Sequence, residues 1–133
     1  MEKRWPAEQV VGFPGLDVES VEGLLGIRKT EYVFVKSAVR VRDKLEFYTG
    51  IAIQKSLTEK LLSIDTDYQI IQFMEEDGYC FEFKLDNFDS DACYGEITEF
   101  FVSKKLIISS QFREYYDFAN NIIQIFCGVL KSK

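Results

Sequence analysis

Histidine is absent from all 133 residues of the chain. Histidine is the usual general acid or base near neutral pH, the usual base beside a serine or cysteine nucleophile, and a common metal ligand. Its absence therefore excludes Ser-His and Cys-His nucleophile pairs and every metal site that needs an imidazole. Many kinds of catalytic site are excluded in this way, and we predict that the protein is not an enzyme.

Cysteine is also scarce. The chain has three cysteines, Cys80, Cys93 and Cys127, which are widely spaced and form no C-x-x-C pair. An odd number of isolated cysteines fits neither a disulfide framework nor a structural zinc site. We therefore expect three reduced thiols, no metal and no cofactor.

Long apolar runs are missing as well. No window approaches the roughly eighteen uninterrupted apolar residues of a membrane span, and no apolar signal core follows residues 1–6. We therefore predict no membrane insertion, no export signal and a cytoplasmic location. With 47% hydrophobic residues, the chain has the size and apolar content of one ordinary domain over residues 1–133.

Basic residues are almost absent from one segment. Between Asp65 and Glu99, eleven acidic residues accompany one basic residue, Lys84, which gives a formal charge of minus ten. The other fifteen basic and eleven acidic residues give plus four, so the whole chain carries minus six. Such a concentrated field favours a cationic partner and disfavours nucleic acid and anionic lipid.

The first half of the chain predicts two short helices. Both prolines and two glycines fall within residues 1–16, which therefore read as an irregular N-terminal arm. Asp17 has the position of a helix cap, with Gly26 ending that helix after about Leu25. A second helix over residues 57–64 is indicated by Ser56 and Glu59, which have the spacing of a capping box.

Alternating residues predict strands elsewhere. Residues 31–48 alternate with period two and predict two strands, with a turn either near Ser37 or at 42–44 and with Gly50 ending the run. The Lys and Arg residues at positions 36 to 44 are interpreted as the solvated face of this pair. Residues 68–74 and 79–85 flank Glu75-Glu-Asp-Gly78, which is typical of a β-hairpin.

The last third of the chain predicts a loop, strands and a long helix. Residues 86–95 are rich in turn formers, and residues 96–108 favour one or two strands. Apolar residues from Phe112 to Leu130 recur at three- and four-residue steps, which predicts a C-terminal helix capped by Ser109 or Ser110. The expected fold class is α+β: an antiparallel sheet of about five strands, one or two short helices, and the long C-terminal helix packed on one face.

The acidic segment also contains the predicted binding site. Aromatic side chains give affinity at an interface while charge speeds encounter, and the two kinds of residue are interleaved here. Charged residues in exposed turns can also serve solubility alone. The predicted partner-binding residues are Glu75, Glu76, Asp77, Tyr79, Glu82, Asp86, Phe88, Asp89, Asp91 and Tyr94.

Two other chemistries are weaker alternatives. Asp86, Asp89 and Asp91, with Glu96, could supply oxygen ligands to calcium, but only Asp89 and Asp91 keep the alternation of the familiar loop, and no glycine stands at the required step. Paired carboxylates can hydrolyse glycosides without histidine, yet one tryptophan is poor provision for stacking sugars. Neither alternative has further support in the sequence.

Composition favours a small acidic protein-binding module of bacterial type. We predict an immunity or inhibitor protein that blocks a basic toxin or enzyme acting on nucleic acid, because such a target must present positive charge to phosphate. The alternative is a secretion chaperone or adaptor that dimerises through its terminal helix and binds a client segment. The expected partner is a basic protein, with no nucleic acid, no membrane and a possible homodimer.

Overall fold

A computed structural model describes residues 2–41, 44–108 and 112–130. These residues form one antiparallel sheet of eight strands in the order β1-β6-β8-β7-β3-β4-β2-β5, together with three helices and a turn of 3-10 helix. In chain order the elements are β1 (Glu2–Trp5), β2 (Glu8–Pro14), α1 (Val18–Leu25), the 3-10 turn (Lys29–Glu31), β3 (Phe34–Val41), β4 (Lys44–Ala52), α2 (Lys55–Leu62), β5 (Gln69–Phe73), β6 (Glu76–Lys84), α3 (Ser90–Lys104), β7 (Arg113–Asp117) and β8 (Ile122–Gly128).

The predicted sheet of about five strands under a long C-terminal helix is wrong. The segment assigned to that helix forms β7 and β8, a hairpin inside the sheet. Strand β8 is buried on both faces, with Ile123 and Ile125 on one side and Phe126 on the other. A strand buried on both faces loses its alternation, so its apolar spacing also fits a helix. Ser109 and Ser110, the expected caps, lie outside the described residues.

Helix α3 replaces the loop predicted over residues 86–95 and the strands predicted over 96–108. Asp89 caps the helix by accepting a hydrogen bond from the backbone N–H of Ala92 at 3.2 Å. Ile97 and Phe101, one turn apart, are buried against the sheet. Burial of this stripe outweighs the strand preference of the β-branched and aromatic residues, because tertiary packing overrides intrinsic propensity.

Strands β5 and β6 do not form the predicted hairpin. Strand β5 pairs with β2 at one edge of the sheet, whereas β6 pairs with β1 and β8 near the other edge. Gly78, predicted at the turn, lies inside β6. The chain from Phe73 to Glu76 can span at most about 11 Å, so the two ends of the sheet must approach each other. The sheet is therefore curled.

The curl gives the sheet a concave face that is buried without any helix. The cluster on this face draws residues only from strands, and Trp5 of β1 and Phe73 of β5 reach it from opposite edges. Because the sheet curls, the apolar side chains of the concave face pack against one another. Its buried members are Val10, Val35, Tyr48, Tyr115 and Phe126.

The opposite face, here called the helix face, carries the three helices. Helices α1 and α2 cover one cluster, centred on Phe13, Phe34 and Ile51. Helix α3 covers a second cluster that includes Ile123 and Ile125. Tyr116 packs against both clusters, so it marks the seam between α1 and α3.

The first two helices and the N-terminal segment follow the sequence predictions only in part. The helix starting after Asp17 is confirmed, because its carboxylate accepts a hydrogen bond from the N–H of Ser20 at 2.8 Å and Gly26 ends α1 with φ 65°. The capping box at Ser56 is wrong, since α2 begins earlier with Gln54 as its cap. The irregular arm over residues 1–16 is also wrong, because it forms β1 and β2.

The strand pair of residues 31–48 is present as the β3–β4 hairpin. Strand β3 runs through Ser37, which excludes the turn predicted there, and Gly50 lies inside β4 rather than after it. Residues 42 and 43, where the other turn was predicted, lie outside the described residues. Within the described part of the chain no helix is long and apolar enough to cross a membrane.

Candidate functional site

A cavity of about 540 Å³ lies on the helix face, at the seam between α1 and α3. Strands β3, β4 and β7 supply its floor, while the segment that leads into α1 and Tyr94 of α3 supply its sides. Small-molecule sites commonly have volumes of about 300–1,000 Å³, so the cavity has the size of a binding site. It is lined by Gly15, Leu16, Asp17, Lys36, Ser37, Ala38, Phe47, Tyr48, Thr49, Tyr94, Phe112 and Glu114.

Strand register brings the polar groups of the floor together. Lys36 of β3 is paired with Glu114 of β7 on one side and with Thr49 of β4 on the other. Side chains of directly paired residues leave the same face, with Cβ atoms about 4.5–5.5 Å apart. The Thr49 hydroxyl donates to the carbonyl oxygen of Leu16 at 2.6 Å, which ties the floor to the start of α1.

The Glu114 carboxylate is held by two tyrosines. The Tyr94 hydroxyl donates to its Oε2, and the Tyr116 hydroxyl donates to its Oε1 at 2.8 Å. Burial first, and the adjacent carboxylate next, raise the pKa of both phenols, so both remain protonated donors at neutral pH. A carboxylate offers about four acceptor positions, so each oxygen can still accept a hydrogen bond from a ligand.

Lys36 lies beside this carboxylate without pairing to it. Its Nζ is 4.8 Å from the centroid of the Tyr116 ring, a cation–π geometry. The pKa of Asp17 is lowered mainly by its hydrogen bond from Ser20, with a smaller contribution from the positive charge of Lys36. Among the ion pairs of the described residues, none includes Lys36 or Glu114.

Aromatic rings form the walls of the cavity. The rings of Tyr94 and Phe112 are 5.0 Å apart between centroids. Phe47 stands at the rim with 70% of its surface exposed. At this spacing the Tyr94 and Phe112 rings pack against each other and form one aromatic wall, against which a flat apolar ligand can pack.

A separate polar network occupies the concave face. Arg113 is 1% exposed, and its Nη2 lies 2.9 Å from Glu76 while its Nη1 lies 3.8 Å from Glu8. The guanidinium also stacks on Phe73 and Phe126, at 4.3 and 4.9 Å from the ring centroids. Its charge and donors are thus matched internally, which indicates a structural role.

Three of the ten predicted site residues are engaged in ion pairs. Arg4 pairs with Glu75 and, at 2.9 Å, with Asp77. Glu76 pairs with the buried Arg113. The negative charge at the start of β6 is therefore largely matched by arginines of the same protein.

The remaining predicted residues lie further along the chain. Glu82, Asp86, Asp89 and Asp91 are exposed, and the last three lie at or after the far end of β6. The eight residue steps of β6 span about 26 Å, so the structure separates these acids from the group at the start of the strand. It does not gather all ten residues at one place.

The predicted aromatic residues have structural contacts. The Tyr79 ring packs 4.9 Å from the Phe100 ring, and the Phe88 ring packs 6.2 Å from the Phe83 ring. Of the ten predicted residues, Tyr94 lines the cavity, where its hydroxyl donates to Glu114.

The carboxylates proposed for calcium do not converge. Asp89 is occupied as the cap of α3, and Asp86 and Asp91 are exposed on either side of it. Over the described residues, no group of three or more Cys, Asp or Glu side chains is arranged to hold a metal ion.

Sequence reasoning missed the central residues of the cavity. Lys36 was interpreted as solvated, and Glu114 was placed in a helix. A signal for the correct hairpin exists just after Glu114: the Asp117 carboxylate accepts a hydrogen bond from the Asn120 N–H at 3.2 Å, and Asn121 has φ 57°. An Asp with Asn residues three and four positions later is typical of a turn, and a turn here would have divided the segment into two strands.

Comparison with known proteins shows likeness of fold alone. No family model and no curated protein matches the sequence. A hydrolase from Listeria innocua superposes with a TM-score of 0.61 at 12% identity, covering 98% of this chain and 90% of that one. The C-terminal domain of EcmrR gives 0.62 at 15% identity, with 99% and 97% covered.

Two further structures share the architecture. In an EcmrR–DNA complex, the matched region covers 57% of the EcmrR chain, with a TM-score of 0.61 at 14% identity. An integron cassette protein from the mobile metagenome of Vibrio cholerae gives 0.58 at 15% identity, with 98% of this chain and 95% of that one covered. The identities are too low to transfer residue roles from any of these proteins.

Proposed function

We propose that the protein binds a small molecule in the cavity, with Glu114 as the anchor for a positively charged or hydrogen-bond-donating group. The observation that carries the proposal is the Glu114 carboxylate, held by the hydroxyls of Tyr94 and Tyr116 inside an aromatic-lined cavity of about 540 Å³. A concave, mostly apolar site with a few convergent polar groups is the usual form of a ligand pocket.

The geometry favours a flat ligand that carries an amine. The two phenols hold the carboxylate in place before a ligand arrives, which reduces the ordering cost of binding. An ammonium bound at Glu114 would lie near the ring of Tyr94 and gain cation–π attraction. A hydrogen bond to a charged group contributes about 1.5–3 kcal/mol.

The similar structures share the fold and do not indicate the chemistry of the site. One is called a hydrolase, and another is a domain of EcmrR, which is also known in a complex with DNA. A single fold can host unrelated functions, so we infer the ligand from the residues of the site and not from these names.

Tryptamine, a planar aromatic amine, is a suitable probe. We expect it to shift the amide NMR signals of residues around the cavity, those of Lys36 and Thr49 among them. Glu114→Gln keeps the shape of the side chain and removes its charge, and should raise the Kd about tenfold or more. Glu82→Gln, which neutralises an exposed carboxylate on the other face, is the matched control and should leave the Kd unchanged. Equal affinity in wild type and Glu114→Gln would refute the anchor.

An acidic inhibitor of a basic, nucleic-acid-directed toxin is a second proposal. Its support is the exposure of Asp86, Asp91 and Glu96, none of which takes part in an ion pair of the described residues. Reversing Asp86 and Asp91 to Lys should slow association with a cationic partner, and association that does not depend on salt would count against it. Replacing Glu76 with Lys is unsuitable because it would also remove the ion-pair partner of the buried Arg113.

The chaperone alternative loses its structural basis for dimerisation. It depended on a terminal helix as the dimer contact, and that segment forms the interior strands β7 and β8. Binding of a client segment by another surface stays a prediction without a site.

A further inference from the structure

Besides Glu114 and Asp17, whose carboxylate caps α1, the cavity contains one positive charge, that of Lys36. Lys36 is half-buried in the floor, directly across from Glu114 in the register of β3 and β7. Lateral neighbours of opposite charge on paired strands usually attract each other. Here no ion pair forms between them, because the two oxygens of Glu114 face tyrosine hydroxyls and the ammonium lies over the Tyr116 ring.

Lys36 and Glu114 therefore place opposite charges side by side in an aromatic cavity, each still able to bind a ligand, whereas the Asp17 carboxylate is engaged with the N–H of Ser20. A ligand with only a positive charge would satisfy Glu114 but would lie near the like charge of Lys36, which lowers its affinity. A ligand that carries both charges a few ångströms apart would satisfy both groups. Complementary charges of this kind contribute mainly to specificity.

We propose that the ligand is an aromatic zwitterion, whose ammonium binds Glu114 and whose carboxylate binds Lys36. This inference rests on the proposed function and adds the ligand class. The aromatic ring lies against the wall formed by Tyr94 and Phe112, with Phe47 at the open rim. An α-amino acid with a large aromatic side chain has this combination of groups.

Three probes with one indole-ethyl skeleton separate the charges. Tryptamine carries the ammonium, indole-3-propionate carries the carboxylate, and tryptophan carries both. Binding of each is measured by calorimetry and by amide NMR shifts. In wild type we expect tryptophan to bind about tenfold more tightly than tryptamine, with indole-3-propionate the weakest.

The variant Lys36→Met keeps the length of the side chain and removes its charge. It should reduce the affinity for tryptophan about tenfold, to the level of tryptamine, and leave tryptamine unchanged or slightly tighter. Lys84→Met, on an exposed position of β6, is the matched control and should change neither. Amide spectra that retain their dispersion show that each variant is folded.

The outcomes separate this inference from the proposed function. Tight binding of tryptamine with no gain for tryptophan, or a gain that survives in Lys36→Met, would overturn the zwitterion and leave the Glu114 anchor intact. A tryptophan complex that depends on Lys36 but not on Glu114 would support the carboxylate contact and refute the anchor. Failure of all three probes at millimolar concentration would overturn both proposals.

Discussion

Replacing Arg113 with methionine is expected to destabilise the protein strongly. Arg113 is 1% exposed, and its guanidinium lies 2.9 Å from Glu76, whose side chain is 26% exposed, and 3.8 Å from Glu8, whose side chain is 23% exposed. Methionine keeps much of the apolar packing on Phe73 and Phe126. It cannot neutralise the two carboxylates, which would be left in a largely buried site.

The magnitude follows from this burial. Removing one partner of a buried ion pair costs about 3–5 kcal/mol, because the other partner stays desolvated. Glu8 and Glu76 keep about a quarter of their exposure, so some solvent screening remains. We therefore expect a loss near the lower limit, about 3 kcal/mol, or a decrease in Tm of roughly 10 °C for a chain of this length.

Urea denaturation followed by circular dichroism measures the effect. Glu76→Gln is added in both backgrounds: it should destabilise the wild type and cost little, or even stabilise, in Arg113→Met, because an unpaired carboxylate is then removed. Arg4→Met is the matched control, since Arg4 also contacts two carboxylates but is 60% exposed, and we expect its midpoint to change little. Equal losses for Arg113→Met and Arg4→Met would refute the reasoning.

Two further predictions concern other parts of the fold. Gly95→Ala should stabilise α3 by about 0.5–1 kcal/mol, because an added Cβ there meets nothing within 4 Å. Gly78→Ala should instead destabilise the protein by about 3 kcal/mol, because its Cβ would fall 2.2 Å from the Cys127 carbonyl oxygen. Thermal unfolding of the two variants checks both signs, and a stable Gly78→Ala would contradict the close approach of β6 and β8. Burial raises the pKa of Tyr48 to about 12, so the unfolded chain ionises first and Tyr48 by itself should lower the stability by about 1.4 kcal/mol per pH unit between pH 10 and 12, in addition to the falls caused by Tyr94, Tyr115 and Tyr116, whose pKa values are also raised. Tyr48→Phe removes this contribution, so a fall that is equally steep in the variant would show that Tyr48 does not cause it.

Local chemistry accounts for the elements that sequence reasoning predicted correctly. Helix α1 depends on a cap at Asp17 and a left-handed glycine at Gly26, both of which act within a few residues. The β3–β4 hairpin also joins neighbouring segments with an alternating pattern. Absences were informative too: a chain without histidine loses whole classes of catalytic site whatever its fold.

The failures share a different cause. Segments 90–104 and 112–128 have apolar spacings that fit a helix and a strand almost equally, and burial of each segment against the rest of the protein decided between them. Ile97 and Phe101 made a helix favourable because β8 offered an apolar surface for that stripe. Strand β8 became an interior strand because its other face closed on the concave cluster.

The cavity was beyond the reach of sequence reasoning for the same reason. Tyr94 was selected as a contact for a protein partner, and its bond to Glu114 depends on α3 and β7 lying together. Lys36 and Glu114 are far apart in the chain, and their pairing follows from the register of β3 and β7. Composition and local caps act over a few residues and can be read in order, whereas a cavity between a curled sheet and its helices depends on contacts between distant segments, whose energies no single segment contains.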